Sequence, residues 1–566
     1  MRPSVRQDIL ARALCAAILL CGAPSAHPQT VPVEPCGIAS ASPLATNAGC
    51  EILAQGGNAF DAAVVVSATL AVVEPFASGL GGGGFYLLHR QRDGLDVFVD
   101  ARETAPGRAT REFYLDQSGA PRAGLSLDGP TAAGIPGTPA ALDWIEKRYG
   151  SLPLARTLAP AIRIARLGYP VDARYLRAAG FRQAVLQRYA EASGVFLDGG
   201  KVPATGFVLK QPQLAATLEA IARKGRDGFY RGEVAAHLVK AVQAAGGLWA
   251  VEDLAQYRVV ERSPIRFGFR GARIVTAPLL SSGGLVIAQA LQMLDPLPLQ
   301  SMSETQRAHY IVEAWRRGYN DRARYMGDPD FVKVPVTKLL SREYALRRGA
   351  SIDPDHATPS SALPSVQEPI GEGEETTHFS IIDREGNRVA ATQSVNGPFG
   401  SGFVAGDTGV LLNNHMDDFS LAAAVPNAYR LVGGDANAIA PGKRPLSSMS
   451  PTFVEDDRGV LVLGTPGGSR IISMVTLGIL DYILHPEVDV QRIVALPRYH
   501  HQYLPDRIEI EPGAFSETWI EALRAKGHVV EVGRRRWGNM QAVFQGANGA
   551  APVAASDPRG EAGVLF

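Results

Sequence analysis

Two short runs rich in β-branched and aromatic residues, Thr377 to Asp383 and Arg388 to Val395, are separated only by Arg384-Glu385-Gly386-Asn387, a turn composition. This spacing predicts a β-hairpin. If the loop is Arg384-Glu385-Gly386, with Gly386 in the left-handed region as a bulge, Asp383 pairs with Asn387. Counting outward from that pair puts Ser394 opposite Thr376. Directly opposed side chains on one sheet face lie about 5 Å apart, so two hydroxyls would face each other. A loop of even length would put Val395 there instead.

A threonine hydroxyl is a poor nucleophile until a base takes its proton, and one solution is the residue's own α-amino group after the chain is cut before it. Such an amine titrates at about 7.7 to 8.0, close to neutrality. The hairpin therefore makes chemical sense if the peptide bond Glu375-Thr376 is severed and Thr376 becomes a new N-terminus; otherwise Thr376 merely begins a strand. Residues 353–375, rich in Pro, Ser, Gly and acid, are predicted to form a mobile linker ending at that point.

The segments TTHFSIIDREGN, NGPFGSG, LLNNHMDDFS, KRPLSSMSPT and GTPGGSRI follow one another along the chain. They resemble, in order, the signatures of the γ-glutamyltransferase family, with similarity from about Gly37 to Ala562. The resemblance implies an α+β fold, the four-layer αββα sandwich of N-terminal-nucleophile hydrolases, built jointly by two subunits of one precursor. The large subunit would be residues 27–375 and the small one 376–566, associated as a heterodimer.

The chemistry so implied is acyl transfer. Thr376 attacks a γ-glutamyl carbonyl, with Ser394 orienting its hydroxyl. The oxyanion needs fixed donors, and the backbone N–H groups of Gly467 and Gly468 can approach closely because no side chain intervenes. By resemblance these glycines form the oxyanion hole, Arg102, Ser447 and Ser448 hold the substrate α-carboxylate, and Asn396, His415 and Asp418 hold its α-ammonium. Tyr429 matches the family's lid aromatic, in a long Ala/Gly/Pro-rich stretch of the kind that forms lids.

The residues also admit plainer roles. Arg102, just past the strand Leu95 to Val99, could pair with Glu103 or Asp100. Ser447 and Ser448 could bond to local backbone, Asn396-Gly397 is a good turn pair, and Asp418 could cap a helix.

Two positions depart from the family pattern: Ser394 stands for the usual Thr, and His415 for Gln or Glu. A neutral imidazole accepts a bond from an ammonium and a protonated one repels it, so substrate affinity is expected to weaken below about pH 6.5.

The function expected is a γ-glutamyltransferase and glutathione hydrolase acting on glutathione and related small molecules, with water, amino acids or peptides as acceptors. One alternative is a relative that deacylates glutaryl-cephalosporins, which lack the ammonium; retained Asp418 argues against it. Another is an uncut exported binding protein with a degenerate site.

Arg2, Arg6 and Arg12 precede the apolar stretch Ala13 to Ala23 and the small residues Pro24-Ser25-Ala26. That layout predicts a signal peptide over residues 1–26, an exported protein, periplasmic or secreted, and no membrane span after its removal. Cys15 and Cys21 would leave with the signal, and Cys36 and Cys50 remain for one possible disulfide.

The formal net charge is zero, so no global field favours nucleic acid. No cofactor or metal is expected: adjacent His500 and His501 lack the separation that sets two imidazoles on one helix face. The run Gly79 to Gly84 lacks the ending of a phosphate loop and is expected to let backbone layers approach. Arg534-Arg535-Arg536 reads as a solvated turn.

Overall fold

The predicted hairpin forms in the predicted register. In the computed structural model, which describes residues 36–364, 376–421 and 434–560, the strands Thr377–Ile382 and Arg388–Ser394 pair antiparallel with Gln393 opposite Thr377. One step further out, Ser394 meets Thr376. Gly386 has φ 85°, and Asp383 N–H donates to Asn387 O at 3.0 Å. The Asp383 carboxylate locks the loop, accepting from Glu385 and Asn387 N–H at 2.9 Å each and from Ala59 N–H at 2.8 Å. The signal segment, Glu375 and Tyr429 lie outside the described residues.

Ala59 opens the helix Ala59–Val73, every residue of which is buried. An apolar helix without a polar face has to be enclosed on all sides. Its start is set by a reciprocal cap, in which Asn58 Oδ1 accepts from Asp61 N–H at 3.1 Å and Asp61 Oδ2 accepts from Asn58 N–H at 2.8 Å.

The hairpin lies inside a six-stranded antiparallel sheet. Its order is Ile38–Ser40, Thr377–Ile382, Arg388–Ser394, Gly83–Arg90, Leu95–Ala101 and Val260–Arg262. Alternate residues face different layers, as the pleat requires. Tyr86, Leu88, Phe379 and Ile381 pack with the helices Pro43–Ala54 and Ala59–Val73. Phe85, Leu87, Ile382 and Ala390 pack with Phe453, Leu461 and Val543 of a second sheet.

That sheet runs Val553–Ser556, Gln541–Gly546, Gly459–Gly464, Thr452–Asp456, Ala272–Thr276, Ile265–Phe269. The helices Gly283–Leu294, Glu304–Tyr325 and Ile471–Leu484 cover its far side. The architecture is the expected α+β, four-layer αββα sandwich.

Close approach explains the glycine run. A Cβ on Gly81, Gly82, Gly83 or Gly84 would overlap the backbone carbonyl of Leu411, Ser394, Ala101 or Thr392 respectively. Cys36 and Cys50 form a disulfide that ties the start of the edge strand to the helix Pro43–Ala54.

One expectation is corrected. Residues 353–364, assigned above to a mobile linker, are fastened to the body. Asp353 O accepts from His309 Nε2 at 2.8 Å, Thr358 N–H donates to Glu313 at 3.2 Å, and Ser360 N–H donates to Asp506 at 2.7 Å. Asn320 Nδ2 donates to Pro364 O at 2.9 Å. The partners come from distant parts of the chain, so composition within the segment did not reveal them.

Candidate active site

Thr376 stands at the entry of its strand with its neighbours pinned on both faces. Its Oγ1 donates to Ser394 Oγ at 3.3 Å, and that oxygen also accepts from Asn396 N–H at 2.7 Å. Thr377, pointing to the opposite face, donates to Glu74 at 2.7 Å, and Glu74 pairs with Arg174 at 2.6 Å. His378, back on the Thr376 face, lies 2.8 Å from Thr392 Oγ1 and 3.2 Å from Ser380 Oγ. Burial pushes its pKa down to about 3, which keeps the ring neutral. The ring fills the space that a side chain at Gly464 of the facing sheet would need.

Most of the residues singled out from the sequence converge. Thr376, Ser394, Asn396, Arg102, His415, Asp418, Ser447, Ser448 and Gly468 line one small cavity. Asn396 sits in the left-handed region at φ 79° and its Nδ2 donates to Asn414 O at 3.0 Å, which aims the turn inward. Ser447 Oγ takes the local role allowed for it, accepting from Met449 N–H at 3.2 Å. Ser448 Oγ and Arg102 Nη1, both buried, have no hydrogen-bond partner among the described residues. Buried polar atoms are seldom left so, and two in one cavity mark bonding capacity for a ligand.

The charges are arranged differently from the expectation. Arg102 Nη2 donates to Asp418 Oδ2, so the group expected to hold a carboxylate and the group expected to hold an ammonium are bound to each other. Glu103, one of the plainer partners allowed for Arg102, is 3.6 Å from Arg102 Nη1. His415 Nδ1 lies 2.9 Å from Glu103 Oε1, at contact distance but outside hydrogen-bonding alignment, and His415 Nε2 lies 4.0 Å from Asp418 Oδ2.

Sequence reasoning missed Arg322 as a lining residue, and it missed the contact between Glu103 and His415. Arg322 comes from the helix Glu304–Tyr325, lines the same cavity and donates to Ser282 Oγ at 2.9 Å. Burial lowers its pKa to about 10, partly offset by Tyr319 and Asp418. Nothing in the sequence singled it out, since it is one of five arginines along that helix.

A second cavity, of about 560 Å³, is lined by Gly467. Thr376 borders both cavities. Gly467 and Gly468 adopt φ 134° and 55° at the entry to the helix Ile471–Leu484, conformations that L side chains resist. Neither N–H has an acceptor among the described residues.

Arg535 and Arg536, read above as part of a solvated turn, are exposed and also line this second cavity. His500 and His501 serve packing and hydrogen bonding, with His500 2.8 Å from Ser473 Oγ and His501 3.2 Å from Asp506. Among the described residues no cluster of His, Cys, Asp and Glu is arranged to hold a metal ion, and no helix is long and apolar enough to cross a membrane.

Known proteins share this chain over nearly its whole length. The family model Gamma-glutamyltranspeptidase matches residues 45–566. The glutathione hydrolase proenzyme of Escherichia coli (strain K12) is 42% identical, with 92% of this chain and 90% of the relative covered. That of Pseudomonas sp. (strain A14) is 39% identical, with 99% and 100% covered. Among solved structures, the cephalosporin acylase from Bacillus halodurans superposes with a TM-score of 0.82 at 28% identity, covering 94% of this chain and 96% of the other. Family-model match, relatives and shared architecture agree: the chain belongs to the gamma-glutamyltranspeptidase family.

Proposed function

We propose that the chain is an exported γ-glutamyltransferase and glutathione hydrolase, made as a precursor and cut at Glu375-Thr376 into two subunits that stay together. The observation that carries this reading is that Thr376 borders two cavities, its hydroxyl 3.3 Å from Ser394 Oγ, with two unengaged backbone donors among the residues lining them. Such a site suits a reaction in which an acyl group lies on one side of a nucleophile and an amine on the other.

In the cut protein the Thr376 amine takes the Oγ1 proton as Oγ1 attacks the γ-carbonyl. The Gly467 and Gly468 N–H groups take up the oxyanion; losing one such donor costs roughly 3 to 4 kcal/mol of barrier. The proton held by the Thr376 amine passes to the leaving amine as the C–N bond breaks. Water or an acceptor amine then gives up a proton to the Thr376 amine and attacks the ester, and the amine returns that proton to Oγ1 as the ester C–O bond breaks and the threonine is freed.

Arg102, Ser447 and Ser448 suit the donor's α-carboxylate, and Asp418 with Asn396 and His415 its α-ammonium. A zwitterionic donor that entered between Arg102 and Asp418 would replace one ion pair by two and leave no buried charge unpaired.

A second reading has support in the cephalosporin acylase likeness and in His415. A glutaryl group lacks the ammonium, however, and would leave Asp418 without its counter-charge once Arg102 turned to the ligand. Turnover of γ-glutamyl-anilide against glutaryl-anilide separates the two, and preference for the glutaryl compound would favour the acylase.

The test of processing is a denaturing gel with N-terminal sequencing. Two fragments are expected, the smaller beginning Thr376-Thr377-His378, and a single uncut chain for Thr376→Ala. A catalytically active protein that remains one continuous chain would overturn the mechanism, and an uncut, inactive wild-type protein would favour a binding protein.

A further inference from the structure

Two turns that line the smaller cavity, one carrying Ser447 and Ser448 and the other Gly468 and Ser469, come from separate stretches of chain. Both are tied to one face of one helix. Tyr319 and Arg322 stand three positions apart in the helix Glu304–Tyr325, so their side chains leave on the same side. They are only 1% and 5% exposed.

Arg322 reaches the first turn through a single serine. Its Nε donates to Ser282 Oγ at 2.9 Å, and Ser282 Oγ donates in turn to Ser447 O at 2.7 Å. Ser282 N–H donates to the same carbonyl at 2.8 Å, and Ser447 N–H donates to Leu280 O at 3.2 Å. Gly318 lets the helices come close enough for this: Ser282 precedes the helix Gly283–Leu294, and a Cβ on Gly318 would lie 2.9 Å from Val286 Cγ1 of that helix. Among the described residues Ser282 Oγ is the one hydrogen-bond partner of Arg322, and no Asp or Glu forms an ion pair with it. A buried guanidinium is ordinarily matched by a carboxylate. Here its bonding is committed to a serine that holds a turn.

Tyr319 reaches the second turn directly. Its hydroxyl donates to the backbone oxygen of Ser469, the residue after Gly468, at the entry to the helix Ile471–Leu484. Oxyanion donors act by being fixed before the charge develops, so a bond that holds the neighbouring peptide matters to them.

We propose that Tyr319 and Arg322 are positioning residues with divided duties. Arg322, through Ser282, fixes the turn that meets the donor's α-carboxylate, and Tyr319, through Ser469, fixes the turn whose N–H groups meet the oxyanion. One serves ground-state binding and the other the transition state, from adjacent turns of the same helix. The inference rests on the acyl-transfer reading above and adds two residues that act through others.

The experiment is steady-state hydrolysis of γ-glutamyl-anilide. Arg322→Met keeps the bulk and removes the donor; KM is expected to rise about tenfold, the scale of one hydrogen bond from a charged group, with kcat within about twofold. Ser282→Ala should do the same, and stands in for Arg322→Met should that variant not fold. The double variant Arg322→Met/Ser282→Ala should be no worse than the poorer single one, because both cut the same linkage. Tyr319→Phe is expected to lower kcat about tenfold with KM unchanged. Arg324→Ala, exposed on the same helix, should alter neither constant.

One shared pattern in Arg322→Met and Tyr319→Phe, whether both unimpaired or both impaired alike, overturns the division of duties. Additive losses in the double variant overturn the path through Ser282. Either result leaves the acyl-transfer reading intact, whereas a wild-type protein that does not turn over γ-glutamyl-anilide sinks that reading and this inference with it.

Discussion

Arg102 and Asp418 are hydrogen-bonded to one another in the smaller cavity beside Thr376, one from just past the end of the strand Leu95–Ala101 and the other from a short 3-10 turn. The pair is almost fully enclosed, with the Arg102 side chain 1% and the Asp418 side chain 11% exposed. Breaking a buried pair from one side strands the other charge and costs about 3 to 5 kcal/mol, whereas replacing both partners by apolar groups of similar shape is often neutral.

Stability and activity should therefore separate at this pair. Asp418→Leu and Arg102→Met, made singly, are expected to lower the melting temperature markedly. The double variant should recover most of that loss, yet remain inactive on γ-glutamyl donors. Thermal melts beside anilide turnover check this. Recovery of activity in the double variant would show that neither charge meets the substrate.

Ser394 keeps the hydroxyl of the family's threonine and lacks its methyl. It accepts from Asn396 N–H and from Thr376 Oγ1, so Ser394→Ala leaves two donors without their acceptor. Each such loss costs about 1 to 3 kcal/mol when buried. The expected result is a fall in kcat of roughly tenfold to a hundredfold for Ser394→Ala, with Ser394→Thr close to wild type. Steady-state kinetics on a γ-glutamyl-anilide decides it, and an unimpaired Ser394→Ala would remove Ser394 from the reaction.

The hairpin was legible because its information is local. Gly386 has one residue's worth of conformational freedom to spend, and the β-branched runs on either side count out the register from it to Ser394. The buried helix Ala59–Val73 was legible for a similar reason, since a stretch with no polar face and an Asn58/Asp61 cap has few other fates.

What escaped was set by distant chain. Arg322 enters the smaller cavity from a helix, and Arg535 and Arg536 reach the larger one, because the layers stack as they do. Residues 353–364 look like a linker by composition and are held by Glu313, Asp506 and Lys526, none of which lies within the segment. The Arg102–Asp418 pair escaped likewise, because 316 positions separate the two residues and each also suits an opposite charge on a substrate.

Gly467 and Gly468 should tolerate no side chain if they hold the oxyanion. A Cβ on Gly467 would press on the flexible end of Met474, which can move, but φ 134° is strained for any L residue. Gly467→Ala and Gly468→Ala are expected to lower kcat by about a hundredfold or more with little change in KM, the pattern of a donor used in the transition state alone. An equal rise in KM with kcat intact would assign the glycines to ground-state binding.

Acid should loosen the body that anchors residues 353–364 in two stages. His501 and His528 are buried and their pKa values are pushed down, by burial first, to about 4 and about 3, against an ordinary value near 6.5. Between those limits the unfolded chain binds more protons than the folded one, so stability falls as pH falls; for His501 the full window is worth about 3 kcal/mol.

The carboxylates of the same cluster add a lower stage of the same sign. Burial opposes ionisation of Glu313, but Arg316 and Arg317 overcome it and hold the pKa at about 2. Its contribution is present above about pH 4.5 and is lost as pH falls toward 2. Melting temperatures are therefore expected to decline from pH 6.5 to 4, and more steeply below. His501→Gln should flatten the upper stage by about one proton while leaving the lower one in place, measured as the slope of unfolding free energy against pH. A melting temperature that is level from pH 7 to 4 would contradict the burial of these rings.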